Sequence, residues 1–230
     1  MVFESSSRLT KSPYIGQLWH SRSSAGGAFM SVAQGHWELV FSVHDGQRYV
    51  TLRGPETKPT LADCPPNGEW LGVRLPVGAY CPIVKQVATL VDDQIVLPNA
   101  TNGFWLHGSV WEFPTLENLD VFADRLIRAD LIRLDPIVRE VLAQGDTPLT
   151  LRSVQRRFVN ITGLSPTALR QIERAQMAAR RLVLGHSIAD VAFDLGFYDQ
   201  AHFTRLVSRL IGQTPAQLQS PTRRLPLSIS

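Results

Sequence analysis

The strongest constraint on the fold of this chain is the nonpolar pattern of residues 187–217, which predicts two short amphipathic helices separated by a tight turn. In both helices the nonpolar side chains recur at i, i+3, i+4 and i+7, so they share one face of a helical period of about 3.6 residues. These positions are Ile188, Val191, Ala192 and Leu195, then Phe203, Leu206, Val207 and Leu210. Ser187 and Asp199 can cap the two helices, and Gly196 and Gly212 can end them.

The opposite face of the second helix carries polar side chains. They are Gln200, His202, Thr204, Arg205, Ser208 and Arg209. A short helix with such a face, held by a partner helix across a glycine-containing turn, is typical of a helix-turn-helix. Because other helical hairpins share this spacing, the pattern alone is a weak indicator of DNA binding.

The residues before this stretch predict a second unit of the same kind. Asp135-Pro136 opens a helix that ends at Gly145, and a short helix from about Thr150 exposes several arginines. A longer helix with a continuous nonpolar stripe then runs from Pro166 to just before Gly185. The sequence therefore predicts two helix-turn-helix units joined by one long helix.

The charge of the chain is unevenly distributed. Residues 1–132 contain 10 Lys and Arg against 13 Asp and Glu, a net charge of −3. Residues 133–230 contain 13 cations against 7 anions, a net charge of +6, and every one of those cations is arginine. A basic, arginine-rich segment joined to a mildly acidic one indicates that the C-terminal segment meets a polyanion.

From about residue 14 to residue 111 the sequence is typical of β-structure. Short nonpolar or alternating runs, for example at residues 37–43 and 70–75, are separated by turn formers such as Asp45-Gly46. This spacing predicts a sandwich or a small barrel. All the tryptophans fall in this half, namely Trp19, Trp37, Trp70, Trp105 and Trp111. They either line a ligand cavity or fill the core, and the sequence leaves both interpretations open.

Near Glu117 the pattern changes to that of a helix, with a nonpolar stripe that includes Leu119, Phe122 and Leu126. A helix at this position is a candidate linker or dimer contact. Packing against the flank of the β domain is the alternative interpretation.

Other features of the sequence argue against several classes of protein. No run of about eighteen nonpolar residues is present and residues 1–12 have no nonpolar core, so we expect neither a membrane span nor a signal peptide and place the protein in the cytoplasm. In that compartment we expect Cys64 and Cys81 to be reduced rather than bridged.

The C-terminal segment also carries motifs of a known family. Between Leu151 and Leu218 the strings QRRF, TGLSP, IADVAFDLGF and GQTP occur in order. In these strings and their spacing the segment resembles the AraC/XylS family of bacterial transcription regulators. The resemblance implies two recognition helices that enter successive major grooves, held about one turn of DNA apart by the long central helix.

Carried over by position, the resemblance assigns two sets of residues to DNA. Those expected to face bases are Arg152, Ser153, Gln155 and Arg156 in the first unit and Gln200, Ala201, His202, Thr204 and Arg205 in the second. Those expected to contact phosphates are Arg157, Arg174, Arg181 and Arg209. Arginine can bond guanine and glutamine can bond adenine bidentately, whereas phosphate contacts position the protein without reading sequence.

The first unit departs from the family pattern. Residues 135–150 have room for one regular helix, where the family has an additional helix before the recognition helix. The second unit is therefore expected to carry most of the sequence specificity, through Gln200, His202 and Arg205.

The N-terminal half resembles, through less specific strings, the cupin-like sensory domains fused to such regulators. These strings are AQGHWELVFSVHDG and EWLGVRLPVGAY. Cupin enzymes cluster histidine and glutamate ligands around a metal. Here the candidates are scattered, so we expect no metal, no cofactor and no enzymatic activity; they are His20, His36, Glu38, His44 and His107.

The sequence thus predicts a two-domain cytoplasmic regulator of transcription. We expect an all-β cupin-like barrel at residues 1–115, a linker helix at 116–134, an all-α double helix-turn-helix domain at 135–222 and a tail at 223–230. The expected partners are double-stranded DNA, a small-molecule effector, RNA polymerase and a second copy of the chain. The alternative from another class is a cupin-type binder or enzyme whose helical domain is an interaction module.

Overall fold

The structure is a computed structural model that describes residues 3–84, 87–144 and 150–228. By internal contacts the chain divides into two compact units. One, here called the sheet unit, comprises the described residues within Met1–Gly27, His36–Pro55 and Pro65–Ser165. The other, here called the helical unit, comprises those within Ala28–Gly35, Glu56–Cys64 and Pro166–Ser230.

The N-terminal half is built of strands. They are β1 (Phe3–Leu9), β2 (Gln17–Ser23), β3 (Gly27–Ser31), β4 (Glu38–His44), β5 (Gln47–Arg53), β6 (Thr60–Cys64), β7 (Glu69–Arg74), β8 (Ala79–Tyr80), β9 (Gln94–Leu97), β10 (Asn99–Ala100), β11 (Gly103–Leu106) and β12 (Ser109–Trp111). Six of them form an antiparallel sheet in the order β1-β2-β7-β4-β5-β9. The strands predicted at 37–43 and 70–75 correspond to β4 and β7.

The helices follow in the C-terminal half. They are α1 (Leu119–Arg128), α2 (Pro136–Gln144), α3 (Leu151–Thr162), α4 (Pro166–Val183), α5 (Ile188–Asp194), α6 (Gln200–Ile211) and α7 (Pro215–Gln219). A two-residue strand, β13 (Arg133–Leu134), pairs with β8 between α1 and α2. The predicted order of a β-rich half followed by helices with two helix-turn-helix units and a long connecting helix is confirmed. The main sheet has β1 and β9 at its edges, so the expected cupin-like barrel is not closed.

The core of the sheet unit is aromatic. Phe41 on β4 makes edge-to-face contacts with Phe104 at 5.7 Å and with Phe122 at 5.2 Å between ring centroids. Helix α1 buries Leu119, Phe122, Ala123 and Leu126 in this core, so the helix predicted as a linker packs against the β-structure. Trp37 and Trp111 are buried in the core, whereas the side chain of Trp105 is 46% exposed.

A small cavity lies inside this core. Its volume is about 20 Å³, which is room for about one water molecule. Its lining is entirely nonpolar and includes no tryptophan; the residues are Leu39, Leu52, Leu75, Cys81, Leu97, Leu106, Leu126, Leu131 and Ile132. Burial raises the pKa of the Cys81 thiol to about 11, and both Cys81 and Cys64 are free and buried. An effector that entered this cavity would have to displace side chains.

Two short pieces of the N-terminal half belong to the helical unit. Strands β3 and β6 pair with each other, and the residues after β3 bond to helices of that unit. The Ala33 amide donates to the Leu210 carbonyl at 2.9 Å, and the Gln176 side-chain amide donates to the Ala33 carbonyl at 2.7 Å. The chain therefore divides differently from the sequence-based boundary at residue 135, since β3 and β6 lie in one compact unit with α4–α7.

The C-terminal residues extend this small sheet. The Met30 amide donates to the Pro226 carbonyl at 2.8 Å, and the Ser228 amide donates to the Met30 carbonyl at 3.0 Å. Gln213 holds the same segment, because its side chain accepts from the Leu225 amide at 2.8 Å and donates to the Leu225 carbonyl at 3.1 Å. The predicted tail is thus bonded to β3. Among the described residues, no helix is long and nonpolar enough to cross a membrane.

A pH-dependent loss of stability is expected from His36. Burial, reinforced by the charges of Arg74 and Arg53, lowers the pKa of His36 well below its ordinary value. The folded protein therefore holds His36 neutral, while the unfolded chain binds a proton there below about pH 6.5. Because the unfolded state binds more protons, the free energy of unfolding falls as the pH drops, by up to about 1.4 kcal/mol per pH unit.

Denaturant unfolding of the wild type and of His36→Phe from about pH 7 to pH 5 checks this expectation, since the variant lacks the titrating group. The slope against pH is expected to be smaller for the variant. Equal slopes in the two proteins would contradict the assignment.

Candidate nucleic-acid interface

The second helix-turn-helix is formed by α5 and α6 and closely follows the predicted pattern. Ser187 accepts a hydrogen bond from the Asp190 amide at 3.1 Å, and Asp199 accepts one from the His202 amide at 2.6 Å. Gly212 ends α6 in the left-handed conformation, with φ of 79°. The buried face of α6 consists of Phe203, Leu206, Val207, Leu210 and Ile211.

The outer face of α6 brings together the second set of predicted base-reading residues. Gln200, Ala201, His202 and Arg205 are exposed and Thr204 is half-buried. Gln200 to His202 occupy the first turn of the helix, which in helix-turn-helix proteins reaches the base edges. The capped N-terminus and this row of donors give α6 the form of a recognition helix.

The turn before α6 is organised around Phe197, which is buried. The ring centroid of Phe197 lies 5.5 Å from that of His202 and 5.0 Å from that of Phe203, both in edge-to-face geometry. On α4, Arg174 places its guanidinium over the Phe197 ring at 4.0 Å. The predicted reader His202 is therefore in contact with the core of the turn.

Helix α3, the predicted first recognition helix, lies in the sheet unit. Thr150 caps it by accepting from the Ser153 amide at 3.3 Å, and Gly163 ends it with φ of 74°. Val154, Phe158 and Thr162 are buried. Of the predicted base-reading residues, Arg152, Gln155 and Arg156 are exposed, and Ser153 is half-buried with its hydroxyl bonded to Thr150.

The first unit was predicted to have one regular helix between residues 135 and 150, and part of that range is described. Helix α2 runs from Pro136 to Gln144 and is capped by Asp135, which accepts from the Ile137 and Val138 amides at 3.0 Å each. Gly145, the predicted end of this helix, lies in residues 145–149, outside the described residues.

Arg157 is bonded to a buried carboxylate. Its Nε donates to Asp135 Oδ1 at 2.9 Å, and its Nη2 lies 2.8 Å from Asp135 Oδ2. This hydrogen bond raises the pKa of Arg157. Because Asp135 also caps α2, the pair ties α3 to the start of α2.

The other arginines predicted to contact phosphate also have protein partners. Arg174 donates to the carbonyls of Leu195 at 2.8 Å and Gly196 at 3.2 Å. Arg181 pairs with Asp194 at 3.0 Å, and Arg209 donates to the side chain of Gln171 at 2.9 Å. Since the side chains of Arg181 and Asp194 are 41% and 56% exposed, solvent screens their attraction.

Two aromatic side chains near the second unit escaped prediction. Tyr198, immediately before the cap of α6, is fully exposed, and Phe193 on α5 is 83% exposed. Phe193 lies where the helical period of α5 predicts a polar face, and Tyr198 lies in the turn between α5 and α6. Large nonpolar residues at such positions are the sequence signal that would have identified them.

The candidate metal ligands of the N-terminal half are not gathered into a site. Glu38 accepts from the Trp19 indole at 2.7 Å and from Arg74 at 3.2 Å, and His20 bonds to Glu69 at 2.7 Å. His44 stacks on Tyr49. In the part of the chain that the structure describes, no group of three or more His, Cys, Asp or Glu is arranged to hold a metal ion.

Comparison with known proteins supports the interpretation of the helices. A family model described as a helix-turn-helix domain matches residues 146–220. The HTH-type transcriptional activator RhaS of Escherichia fergusonii is 34% identical over 74 residues, which are 31% of this chain and 26% of that protein. The chain thus spans about a quarter of the length of the curated relative it matches.

The solved structures to which this chain shows similarity include two of ToxT. One, from Vibrio cholerae, is covered over 97% of its length by 94% of this chain, at 11% identity and a TM-score of 0.42. Another, from Vibrio cholerae O395, is covered over 96% by 94% of this chain, at 10% identity and a TM-score of 0.44.

The QRRF string lies on α3, where its phenylalanine is buried. The GQTP string begins at Gly212, which ends α6. Together with the match of the family model, this shows that residues 146–220 form a helix-turn-helix domain, in the segment whose motifs resemble the AraC/XylS family.

Proposed function

We propose that this protein is a sequence-specific DNA-binding regulator of transcription that acts on chromosomal DNA in the cytoplasm. The observation that carries the proposal is α6: a helix capped at its N-terminus by Asp199, buried along one face, and exposing Gln200, His202 and Arg205 along the other. The matched family model and the similarity to a transcriptional activator support it.

In the proposed complex the two recognition helices read bases by different side chains. On α6, Arg205 bonds guanine and Gln200 bonds adenine in the major groove; on α3, Arg156 and Gln155 do the same. The remaining proposed readers are Arg152, Ser153, Ala201, His202 and Thr204. Each good bidentate pair contributes about 1–3 kcal/mol of discrimination against the wrong base.

We assign phosphate contact to Arg181 and Arg209. Their protein partners lie at the surface, so exchanging these partners for a phosphate costs little. Phosphate contacts anchor the protein equally on every sequence.

Replacing Arg181 with alanine is therefore expected to lower binding to a similar extent on all duplexes. The slope of log affinity against log salt should decrease in magnitude by about 1, because one fewer counterion is released. Fluorescence anisotropy over a salt series measures both quantities. A loss confined to one sequence would exclude a phosphate role, and Arg223→Ala on the C-terminal segment serves as the charge-matched control.

The N-terminal half is proposed to sense a small molecule or to form a dimer. Either event would change the affinity of the helix-turn-helix domain for DNA. By linkage, an effector that changes DNA affinity must have its own affinity changed by DNA to the same extent. Contact with RNA polymerase would make the protein an activator.

Selection of bound fragments from genomic DNA, with and without cell extract, tests this function. A shared motif among the recovered fragments would support it, and enrichment that depends on the extract would reveal an effector. Recovery of fragments without a common motif, by a protein shown to be folded, would contradict sequence-specific regulation.

A further inference from the structure

The second helix-turn-helix contains an arginine whose position is internal to the fold. Arg174 lies on α4 and is half-buried. Its Nη2 donates to the carbonyls of Leu195 and Gly196, at 2.8 and 3.2 Å, where α5 ends. The last carbonyls of a helix have no partner within the helix and carry its negative partial charge. Arg174 therefore bonds the carbonyls of the two residues that follow α5.

The same guanidinium reaches the recognition helix through one aromatic ring. It lies 4.0 Å from the centroid of Phe197, whose exposed fraction is 9%. Phe197 in turn meets the rings of His202, at 66° and 5.5 Å, and Phe203, at 76° and 5.0 Å. A continuous line of contacts thus runs from Arg174 on α4 through the turn to His202 on the exposed face of α6.

We propose that Arg174 is a positioning residue that sets where His202 meets a base, and that it does not contact phosphate. The proposal rests on the proposed function, since it concerns how α6 reads DNA. It differs from the expectation drawn from the sequence, which grouped Arg174 with the phosphate-binding arginines.

Only arginine suits this position. The planar guanidinium can stack on Phe197 while an edge donates to two carbonyls, whereas the ammonium of lysine is a compact, strongly hydrated charge. A phosphate contact, in contrast, requires the charge more than the shape. Arg174→Lys therefore separates the two roles.

The test uses the full chain and a duplex selected by the wild type from a randomised library, together with single-base variants of that duplex. Arg174→Ala, Arg174→Lys and Phe197→Leu are compared with Arg181→Ala, after circular dichroism has shown which variants fold. For a positioning role, both Arg174 variants shift the base preference within the half-site read by α6, the preference in the other half-site is unchanged, and the salt slope stays at the wild-type value.

Phe197→Leu keeps Arg174 but removes the ring between it and His202. It is expected to shift the same base preference, which a general loss of folded protein would not do. If Arg174→Ala does not fold, Arg174→Lys and Phe197→Leu decide the question by the same measurements.

The proposal is overturned if Arg174→Lys binds like the wild type, or if Arg174→Ala lowers binding equally on all duplexes and reduces the salt slope by about 1. A wild type that selects no sequence from the library would instead refute the proposed function, so the two failures are distinguishable.

Discussion

Replacement of Ala33 by proline is expected to destabilise the helical unit and to weaken DNA binding, although Ala33 lies more than a hundred residues before α6, the proposed recognition helix. The Ala33 amide donates to the Leu210 carbonyl at 2.9 Å, and the Ala33 side chain is 1% exposed. Leu210 is in the last turn of α6, where carbonyls lack partners within the helix. Proline removes the donor, which leaves a buried carbonyl unpaired at a cost of about 1–3 kcal/mol.

Such a loss is a large part of the roughly 5–15 kcal/mol by which domains are stable. Denaturant unfolding and amide hydrogen exchange of the full chain measure it, and the amides in the last turn of α6 are expected to exchange faster. Ala33→Gly retains the donor and serves as the matched control. Unchanged exchange in α6 of Ala33→Pro would show that the segment after β3 does not support α6.

Replacement of Arg205 by alanine is expected to have the largest effect on recognition. Arg205 lies on the exposed face of α6, one turn beyond Ala201, and its side chain makes no hydrogen bond or ion pair with the described residues. Because it has no such partner among those residues, its guanidinium can bond guanine without first breaking a contact with them. Loss of a bidentate contact costs about 1–3 kcal/mol, or about 5–150-fold in affinity for the preferred site.

The loss should be confined to duplexes that carry the preferred base, and preference at one position should relax. Arg156→Ala on α3 is the matched comparison, since it removes the same side chain from the other proposed recognition helix and should relax preference at a different position. Titration of a panel of single-base variants measures both. An equal loss for Arg205→Ala on selected and random duplexes would refute its role as a base reader.

Much of the second helix-turn-helix could be predicted because its signals are local. Caps such as Ser187 and Asp199 bond to amides three residues away, and Gly212 adopts a left-handed conformation that its lack of a side chain permits. The exposed and buried faces of α6 follow from the helical period. The same reasoning located α3 from Thr150 to Gly163.

Features that depend on residues far apart in the sequence could not be predicted. The nonpolar stripe of α1 was visible in the sequence, but its place against Phe41 and Phe104 in the sheet core was left open between two interpretations. The aromatic richness of the N-terminal half did not reveal whether it surrounds a cavity, because packing of side chains from separate strands decides how much space remains.

The arginines of the C-terminal segment show this difference between local features and distant contacts. The basic charge of the C-terminal segment and the ends of its helices could be predicted, because charge and capping depend on residue type and near neighbours. The contacts of Arg157 with Asp135 and of Arg174 with Phe197 became visible only in the folded chain. These partners are more than twenty residues away along the chain, and only packing of the helices brings the charges to them.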